Sequence, residues 1–401
     1  MSKRVLNVGL IGGGGGAFIA NPHQKAIHMD GTRRVTCGAL HEDPIIAMEE
    51  AEKWPYPIKG YPTYDAMIDD QAGRKPGDKG RLDYVVIVTP NFVHFDPALK
   101  CIKAGIPVFC EKPLTTTARE AEELEAAVKK HGVPFGIAHT YQGHWSTRVA
   151  RWIITSGKLG KVRWADAYYL QGWLATRLET TGQQQASWRT DPKQAGASCC
   201  GGDIGSHAYH HLRFVTGLEV TSLHGFVVTF LEGRQLDDHF TTYCTLSNGG
   251  LALVRASQIA IGHKNDLGLE VNCERGSLVL RQEESEQLII RLPSEPDRIY
   301  WRGELKGKDP FLGALPGWVL PEWIGNEPTI PSGHNEGFHD AYRRLHKSFE
   351  EDVRLYNEGK PFACDGLKYA NVHDGVMVMR FVEAAVKSSK DGGSVQKVQL
   401  V

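Results

Sequence analysis

The sequence predicts an α/β protein in two parts: an N-terminal doubly wound parallel sheet, then a C-terminal α+β domain carrying a large, mostly antiparallel, open-faced sheet. Three observations carry this. Over the first third, short β-branched runs alternate with helical stretches, the pattern of parallel strands joined by crossover helices. A glycine-rich turn follows the first strand directly. From about Val162 onward the texture changes to stretches that alternate apolar and polar residues, as strands with one wet face do.

Leu6 to Ile11 reads as the first strand, Arg34 to Leu40 as the second, and Tyr84 to Thr89 (YVVIVT) as a central strand apolar on both faces, ended by Pro90. Ile106 to Cys110 supplies another. Thr117 then opens a helix with Glu120 placed for a capping box, and Ala121, Leu124 and Val128 keep one face apolar. Lys129, Lys130 and His131 suit the last turn, and Gly132 ends the helix before the strand Pro134 to Ala138. The first domain is accordingly placed at 1–138 and the second at 139–401.

In the second part VRWADAYYL, HGFVVTF, FTTYCTLSNGGLALVRASQ, LGLEVNCERGSLVLRQ and EQLIIRL read as strands close enough in sequence to be meander neighbours. Asn248-Gly249 and Arg275-Gly276 fit hairpin turns. Helices are expected around Glu336 to Asn357 and Tyr369 to Ser389. The stretch from Gly303 to Asn335, rich in Gly, Pro and Trp, is too long for an ordinary connection and reads as a lid or an arm to another subunit.

With 46 Lys plus Arg against 47 Asp plus Glu, a net charge of -1, the chain has no one-signed field to gather nucleic acid or an anionic membrane. A small-molecule partner is favoured. The basic start leads into an apolar run that breaks into glycines after about seven residues, which fits a strand better than a signal peptide. No window approaches the roughly 20 apolar residues of a membrane helix. A soluble, cytoplasmic protein is expected. None of the 8 cysteines forms a CxxC pair, so no metal is assigned, and Cys199-Cys200 reads as two small buried side chains before it reads as a redox pair.

Gly12-Gly13-Gly14-Gly15-Gly16-Ala17 contains G-x-G-x-x-A after a strand, with a helix able to begin near Ala17. Such a turn needs positive φ, close approach of a pyrophosphate to bare backbone, and a small third residue for helix–strand packing. The helix start then offers N–H groups to the phosphates. In this βαβ setting the turn is of the Rossmann, dinucleotide-binding kind, with Gly12, Gly14, Gly15, Gly16, Ala17 and Phe18 as candidate contacts. Where NAD enzymes carry an acid for the ribose hydroxyls, the run Leu40-His41-Glu42-Asp43 aligns His41. Arg33 and Arg34 precede the second strand instead of following it, so a 2′-phosphate clamp is unassigned; NAD is preferred and NADP left open.

Glu111-Lys112-Pro113 follows the strand ending at Cys110, so Lys112 lies at the carboxyl end of a parallel strand, where ligands of such sheets bind. With LIGGGGGAFIANPHQKAI at the start, VTPNFVH at 88–94, AGIPVFCEKPLTTT at 104–117 and GGDIGSHAYH at 201–210, the chain resembles the glucose-fructose oxidoreductase, inositol dehydrogenase and MocA family. The resemblance implies that Lys112 contacts substrate hydroxyl and nicotinamide, with Asp203 and His207 completing the catalytic set. It implies that Thr89, Pro90, Asn91 and His94 lie along the cofactor and Glu111 beside the nicotinamide ribose. It also implies a cis peptide before Pro113, against a background of roughly 5–6% for such bonds.

In a helix, Asp203 and His207 share one face at i, i+4, and Gly201, Gly202 and Gly205 leave room for a ligand. The rival is a capping Asp with an incidental His, since His210 and His211 stand beside it. Oxidising a secondary alcohol needs a base for the hydroxyl proton as hydride leaves carbon. An imidazole, near 6.5 when free, does this at neutral pH, whereas an ammonium, near 10.4, would need lowering by about 2 to 3 units. His207 is therefore assigned as general acid/base, Lys112 as the group polarising the oxygen, and Asp203 as the group orienting substrate and imidazole.

Trp188-Arg189 resembles a family element near cofactor and substrate, with a surface ion pair as its rival. Tyr141 and His139 stand at the same rim, as substrate contact or junction packing, and His334 reads as a substrate contact or a helix cap. Tyr168, Tyr169, Trp164 and Trp173 could stack on a sugar ring but read first as sheet core. The function expected is NAD(P)-dependent oxidation, reversibly, of a secondary hydroxyl on a sugar, glycoside or inositol-like polyol. Two rivals remain: an NAD-dependent glycoside hydrolase working by transient oxidation and elimination, and a non-catalytic dinucleotide-binding regulator. A broad exposed sheet face suggests a homodimer or homotetramer.

Overall fold

A computed structural model describes residues 4–15, 17–71, 73–304, 311, 321–324 and 330–400. The chain divides into two compact units, one of Met1–Thr140 with Phe338–Val376, the other of Tyr141–Gly337 with Met377–Val401. The first unit thus takes in a segment from far along the chain.

In the first unit β1 (Leu6–Ile11), β2 (Arg33–Ala39), β3 (Lys59–Gly60), β4 (Tyr84–Ile87), β5 (Val108–Cys110) and β6 (Phe135–Ile137) are joined by a late strand, β15 (Ala370–Asn371). The order is β15-β6-β5-β4-β1-β2-β3, parallel except for β15, which runs antiparallel to β6. Removing β15 leaves the 3-2-1-4-5-6 order of a doubly wound nucleotide-binding sheet. Strands β1, β4 and β5 are buried along almost their whole length, as their unbroken apolar runs require. The helix Phe338–Asn357 belongs to this unit because Tyr342, Leu345, Phe349 and Val353 enter the same core as Leu6, Val8, Tyr84 and Phe109. Its periodicity was legible; its destination was not.

Several ends move by a few residues. The first helix begins at Ala20 and not near Ala17, because Ala17 N–H is spent on Gly14 O at 3.3 Å in a turn. Strand β5 begins at Val108, since Ile106 N–H still closes the preceding helix on Cys101 O. The helix Ala118–His131 matches its signals, with Gly132 left-handed at φ 61. Of the capping box only one arm forms: Thr117 Oγ accepts from Glu120 N–H, while the Glu120 carboxylate accepts from Thr116 Oγ. Thr117→Ala is expected to cost about 1 kcal/mol, read as a shift of the urea midpoint.

In the second unit the strands are β7 (Val162–Leu170), β8 (Val220–Val228), β9 (His239–Leu246), β10 (Leu251–Ser257), β11 (Asp266–Cys273), β12 (Ser277–Arg281), β13 (Gln287–Arg291), β14 (Arg298–Trp301) and β16 (Gln396–Lys397). Their order is β14-β13-β12-β11-β7-β10-β9-β8-β16. The expected meander holds for β8-β9-β10 and for β11 to β14. It is broken by β7, which lies between the two runs and pairs parallel with β10. A parallel pair needs a crossover, and the helix Ser206–Thr216 lies in that connection.

Gly249, at φ +83, makes the β9–β10 turn as expected. Gly276 serves differently: it has no positive φ, but an added Cβ would stand 2.6 Å from Arg291 O, so close approach of the neighbouring strand requires it. One face of the sheet is buried; on the other Trp164, Phe226, Tyr243 and Leu251 are exposed. Gly16 and most of the expected lid or arm, 305–310, 312–320 and 325–329, lie outside the described residues. No helix among the described residues is long and apolar enough to cross a membrane.

Candidate active site

In the first unit the glycine turn is built as the motif demands. Gly12, Gly13 and Gly15 hold φ of 81, 99 and 62, which side chains rarely adopt. A Cβ on Gly12 would stand 2.8 Å from Thr89 Cγ2, so the turn lies against the end of β4. Thr89 Oγ1 is buried with no hydrogen-bond partner among the described residues. Phe18 is 69% exposed beside the turn. The bare backbone, the nearby helix start and the orphaned hydroxyl fit a dinucleotide. His41 stands at the turn's flank, 3.7 Å from where a Gly15 Cβ would be, with its Nδ1 accepting from Asp43 N–H. Gly15 N–H itself donates to Glu50, 3.1 Å away, a residue that sequence reasoning passed over.

The peptide Lys112-Pro113 is cis. Lys112 is half-buried, and its own N–H donates to Glu111 Oε2 at 3.0 Å. Glu111 is almost wholly buried, and its other oxygen accepts from Tyr342 O–H at 2.8 Å and faces His23 Nε2 at 2.9 Å. His23 Nδ1 meets His346 Nε2 at 2.9 Å, and His346 Nδ1 meets Tyr84 O–H at 3.2 Å. Burial by itself would raise the Glu111 pKa, but the His23 hydrogen bond and charge, the Lys112 cation and the Tyr342 hydroxyl outweigh it and hold the carboxyl below its ordinary value. Burial, then the His23 and Arg33 charges, push His346 well below an ordinary imidazole. Both oxygens of Glu111 are thus engaged by protein donors, so its first task is to fix the turn that carries Lys112.

His94 is buried with its two ring nitrogens 2.9 Å from Pro113 O and Thr89 O. It ties the cis-proline turn to the end of β4. Burial lowers its pKa, although backbone carbonyls from Thr89 and Pro113 oppose that. Pro90 and Asn91 open the short 3-10 turn Asn91–Val93 between them.

In the second unit Asp203 sits in a π-type turn, Gly201–Gly205, that leads into the helix Ser206–Thr216. The expected uniform α-helix is corrected here: Ser206 N–H reaches back to Gly201 O, one residue further than an α-turn. The glycines divide as well. A Cβ on Gly202 meets nothing within 4 Å, whereas on Gly201 it would stand 2.5 Å from Phe240 and Ser198, so only Gly202 leaves room. The Asp203 carboxylate accepts from Arg189 Nε at 3.1 Å and from Gln258 Nε2 at 2.8 Å. Gln258, fully buried, is oriented by Cys199, whose thiol donates to its Oε1 at 3.3 Å. Sequence reasoning missed Gln258, which no local pattern distinguishes.

Arg189 lies over the Trp188 ring at 4.0 Å, and its Nε stands 3.1 Å from Asp203. The His207 ring is edge-on to Tyr141 at 4.8 Å and to Tyr169 at 5.9 Å. Tyr141 and Tyr169 share a 2.5 Å hydroxyl contact, and Asn265 Nδ2 donates to Tyr141 at 3.2 Å. Tyr169 thus joins the site, while Trp173 packs on Leu174, Ala186 and Cys199, and Trp164 and Tyr168 lie on the sheet. His334 is exposed on a turn closed on Pro331 O, and the following helix begins only at Phe338, which removes the capping alternative. The cysteines are all free, and burial raises the Cys199 and Cys200 thiols well above their ordinary value, as inert side chains.

Behind the turn, Asp237 accepts from Cys199 N–H at 2.8 Å, Ser198 Oγ at 2.9 Å and Gly201 N–H at 3.1 Å. Burial nevertheless raises its pKa to about 6. The folded state therefore prefers the protonated acid: that contribution is complete below about pH 4 and is lost as pH rises through about 6. Asp237→Asn is expected to flatten the fall in stability over that window, by about 2–3 kcal/mol in urea unfolding at stepped pH.

Residues 6–139 match the family model of the oxidoreductase family, NAD-binding Rossmann fold, and residues 147–279 match the GFO/IDH/MocA C-terminal domain. The chain belongs to the Gfo/Idh/MocA family. Among solved structures it is similar to an inositol dehydrogenase homolog from Azotobacter vinelandii complexed with NAD+, with TM-score 0.88, 27% identity and 98% and 97% of the two chains covered. It is 25% identical to levoglucosan dehydrogenase of Pseudarthrobacter phenanthrenivorans over 96% of this chain and 97% of that one. It is also 28% identical to a 2,7-anhydro-N-acetylneuraminate hydratase of Mediterraneibacter gnavus over 66% and 73%. This member of the family is an NAD-binding oxidoreductase of the sugar and inositol dehydrogenase type.

Proposed function

We propose that the chain oxidises, reversibly, one secondary hydroxyl of a sugar, glycoside or inositol-like polyol. The observation that carries this is the Asp203–His207 turn, in which a half-buried carboxylate is held by Arg189 and Gln258 next to the open side of Gly202, one helical turn before a histidine framed by two tyrosines. The bound nicotinamide supplies the hydride acceptor. His207 takes the hydroxyl proton and returns it in the reverse direction. Lys112 polarises the substrate oxygen, with Glu111 fixing its backbone. Asp203 orients the substrate diol, and Tyr141 and Tyr169 hold the imidazole ring in place. The remaining cofactor contacts assigned are Thr89, Pro90, Asn91, His94 and His41.

The test is a panel of sugars, glycosides and inositols with NAD+ and NADP+, followed at 340 nm. Absorbance rising with a member of the panel supports the assignment, and silence across all of them with a chain that binds NAD+ rejects it. The hydratase relative favours a second reading, elimination through transient oxidation with the cofactor recycled in each turnover. Product formed without net NADH distinguishes it. The exposed residues Trp164, Phe226, Tyr243 and Leu251 on the sheet support a homodimer or homotetramer, to be read by light scattering.

A further inference from the structure

The run after β2 contains two acids, Glu42 and Asp43. Asp43 caps the next helix, Pro44–Glu52, accepting from Ile45 and Ile46 N–H. His41 is turned onto Asp43 N–H. The carboxylate that does reach the glycine turn comes from within that helix: Glu50 Oε2 accepts from Gly15 N–H at 3.1 Å. A Cβ on Gly14 would stand 2.8 Å from Glu50 Cγ, so a glycine at 14 is what lets this side chain lie against the turn.

We propose that Glu50 takes the place of the missing strand-end acid, accepting hydrogen bonds from the adenosine ribose diol of NAD and opposing the 2′-phosphate of NADP. The inference deepens the NAD assignment and rests on it. A carboxylate has two oxygens with about four lone-pair directions, so it can keep its present donors and still accept from vicinal hydroxyls. Facing a phosphate, the same charge repels.

The surroundings agree. Lys53 Nζ holds Glu50 Oε1 at 2.9 Å, and that bond, then the Gly15 N–H, keeps the carboxyl below its ordinary value and therefore ionised. Its side chain remains 22% exposed, enough to meet a ligand. The basic residues a 2′-phosphate would call on are occupied elsewhere. Arg33 is buried against Asp30 and Glu350, and Arg34 lies 4.2 Å over the Tyr56 ring. Lys53 is paired with Glu50 itself.

Titration calorimetry of the full chain with NAD+ and, separately, NADP+ tests this without any substrate. Glu50→Gln keeps an acceptor for Gly15 N–H and is expected to weaken NAD+ about ten-fold, the equivalent of one charged hydrogen bond, while its thermal midpoint stays at the wild-type value. Glu50→Ala is expected to tighten NADP+ several-fold by releasing Lys53, a gain that Glu50→Ala combined with Lys53→Ala removes. NAD+ and NADP+ affinities both unchanged in Glu50→Gln and Glu50→Ala would overturn the proposal. A wild-type chain that binds neither dinucleotide would overturn the cofactor assignment itself, and this inference with it.

Discussion

Lys112→Ala is expected to lower kcat by about 10²–10⁴ with the substrate found in the panel, the range for removing a positioned polar group from a proton-coupled step. The loss should fall on kcat more than on the NAD+ dissociation constant, because the turn itself survives. Lys112 donates its backbone N–H to Glu111, and an alanine keeps that bond. The neighbouring cis proline is anchored separately through His94. His207→Asn is expected to lower kcat as well. If the double variant with Lys112→Ala is no slower than the worse single variant, the two groups act in one step. Turnover unchanged in Lys112→Ala would reject the catalytic assignment.

The largest stability effect is expected at His23, far from any surface. His23→Leu removes the only imidazole that faces Glu111 among the described residues, leaving a buried carboxylate with Tyr342 O–H and Lys112 N–H, and leaving His346 Nε2 without its partner. Breaking a buried pair in this way costs about 3–5 kcal/mol. The pH dependence has a definite sign. Wild-type Glu111 is held below its ordinary value, so its contribution is complete above about pH 4.5 and is lost as pH falls through the folded value. The difference between wild type and His23→Leu in urea unfolding should therefore be greatest near neutrality and shrink in acid. A difference that stays constant from pH 7 to pH 4 would show that packing, not charge, is what His23 provides. His23→Gln, which can still donate to the carboxylate, is expected to recover part of the loss.

How much of this was legible in advance depends on how local the physics is. The glycine turn, the strands of the parallel sheet and the helix after Thr117 are written in neighbouring residues, because φ preferences, capping and apolar runs act over one to four positions. Lys112, Asp203 and His207 were singled out as candidates because their motifs are local too. The same locality explains the errors. A π-type turn replaces an α-turn at Gly201–Gly205 where Gly201 presses on Phe240, a contact no window of sequence contains. Strand β7 enters between β10 and β11 although nothing in VRWADAYYL names its neighbours. Strand β15, two residues long, has no pattern to read.

By itself, then, the sequence determined the two-part α/β architecture, the nucleotide turn and the candidate site residues. The tertiary structure alone decided what holds those residues. Glu111 is met by Tyr342 across 231 positions of chain, and His23 by His346 across 323. Asp203 is met by Gln258 across 55, and Gly15 by Glu50 across 35. Local propensity acts along the chain, whereas a buried charge takes its partners from whichever segments packing brings within hydrogen-bond reach.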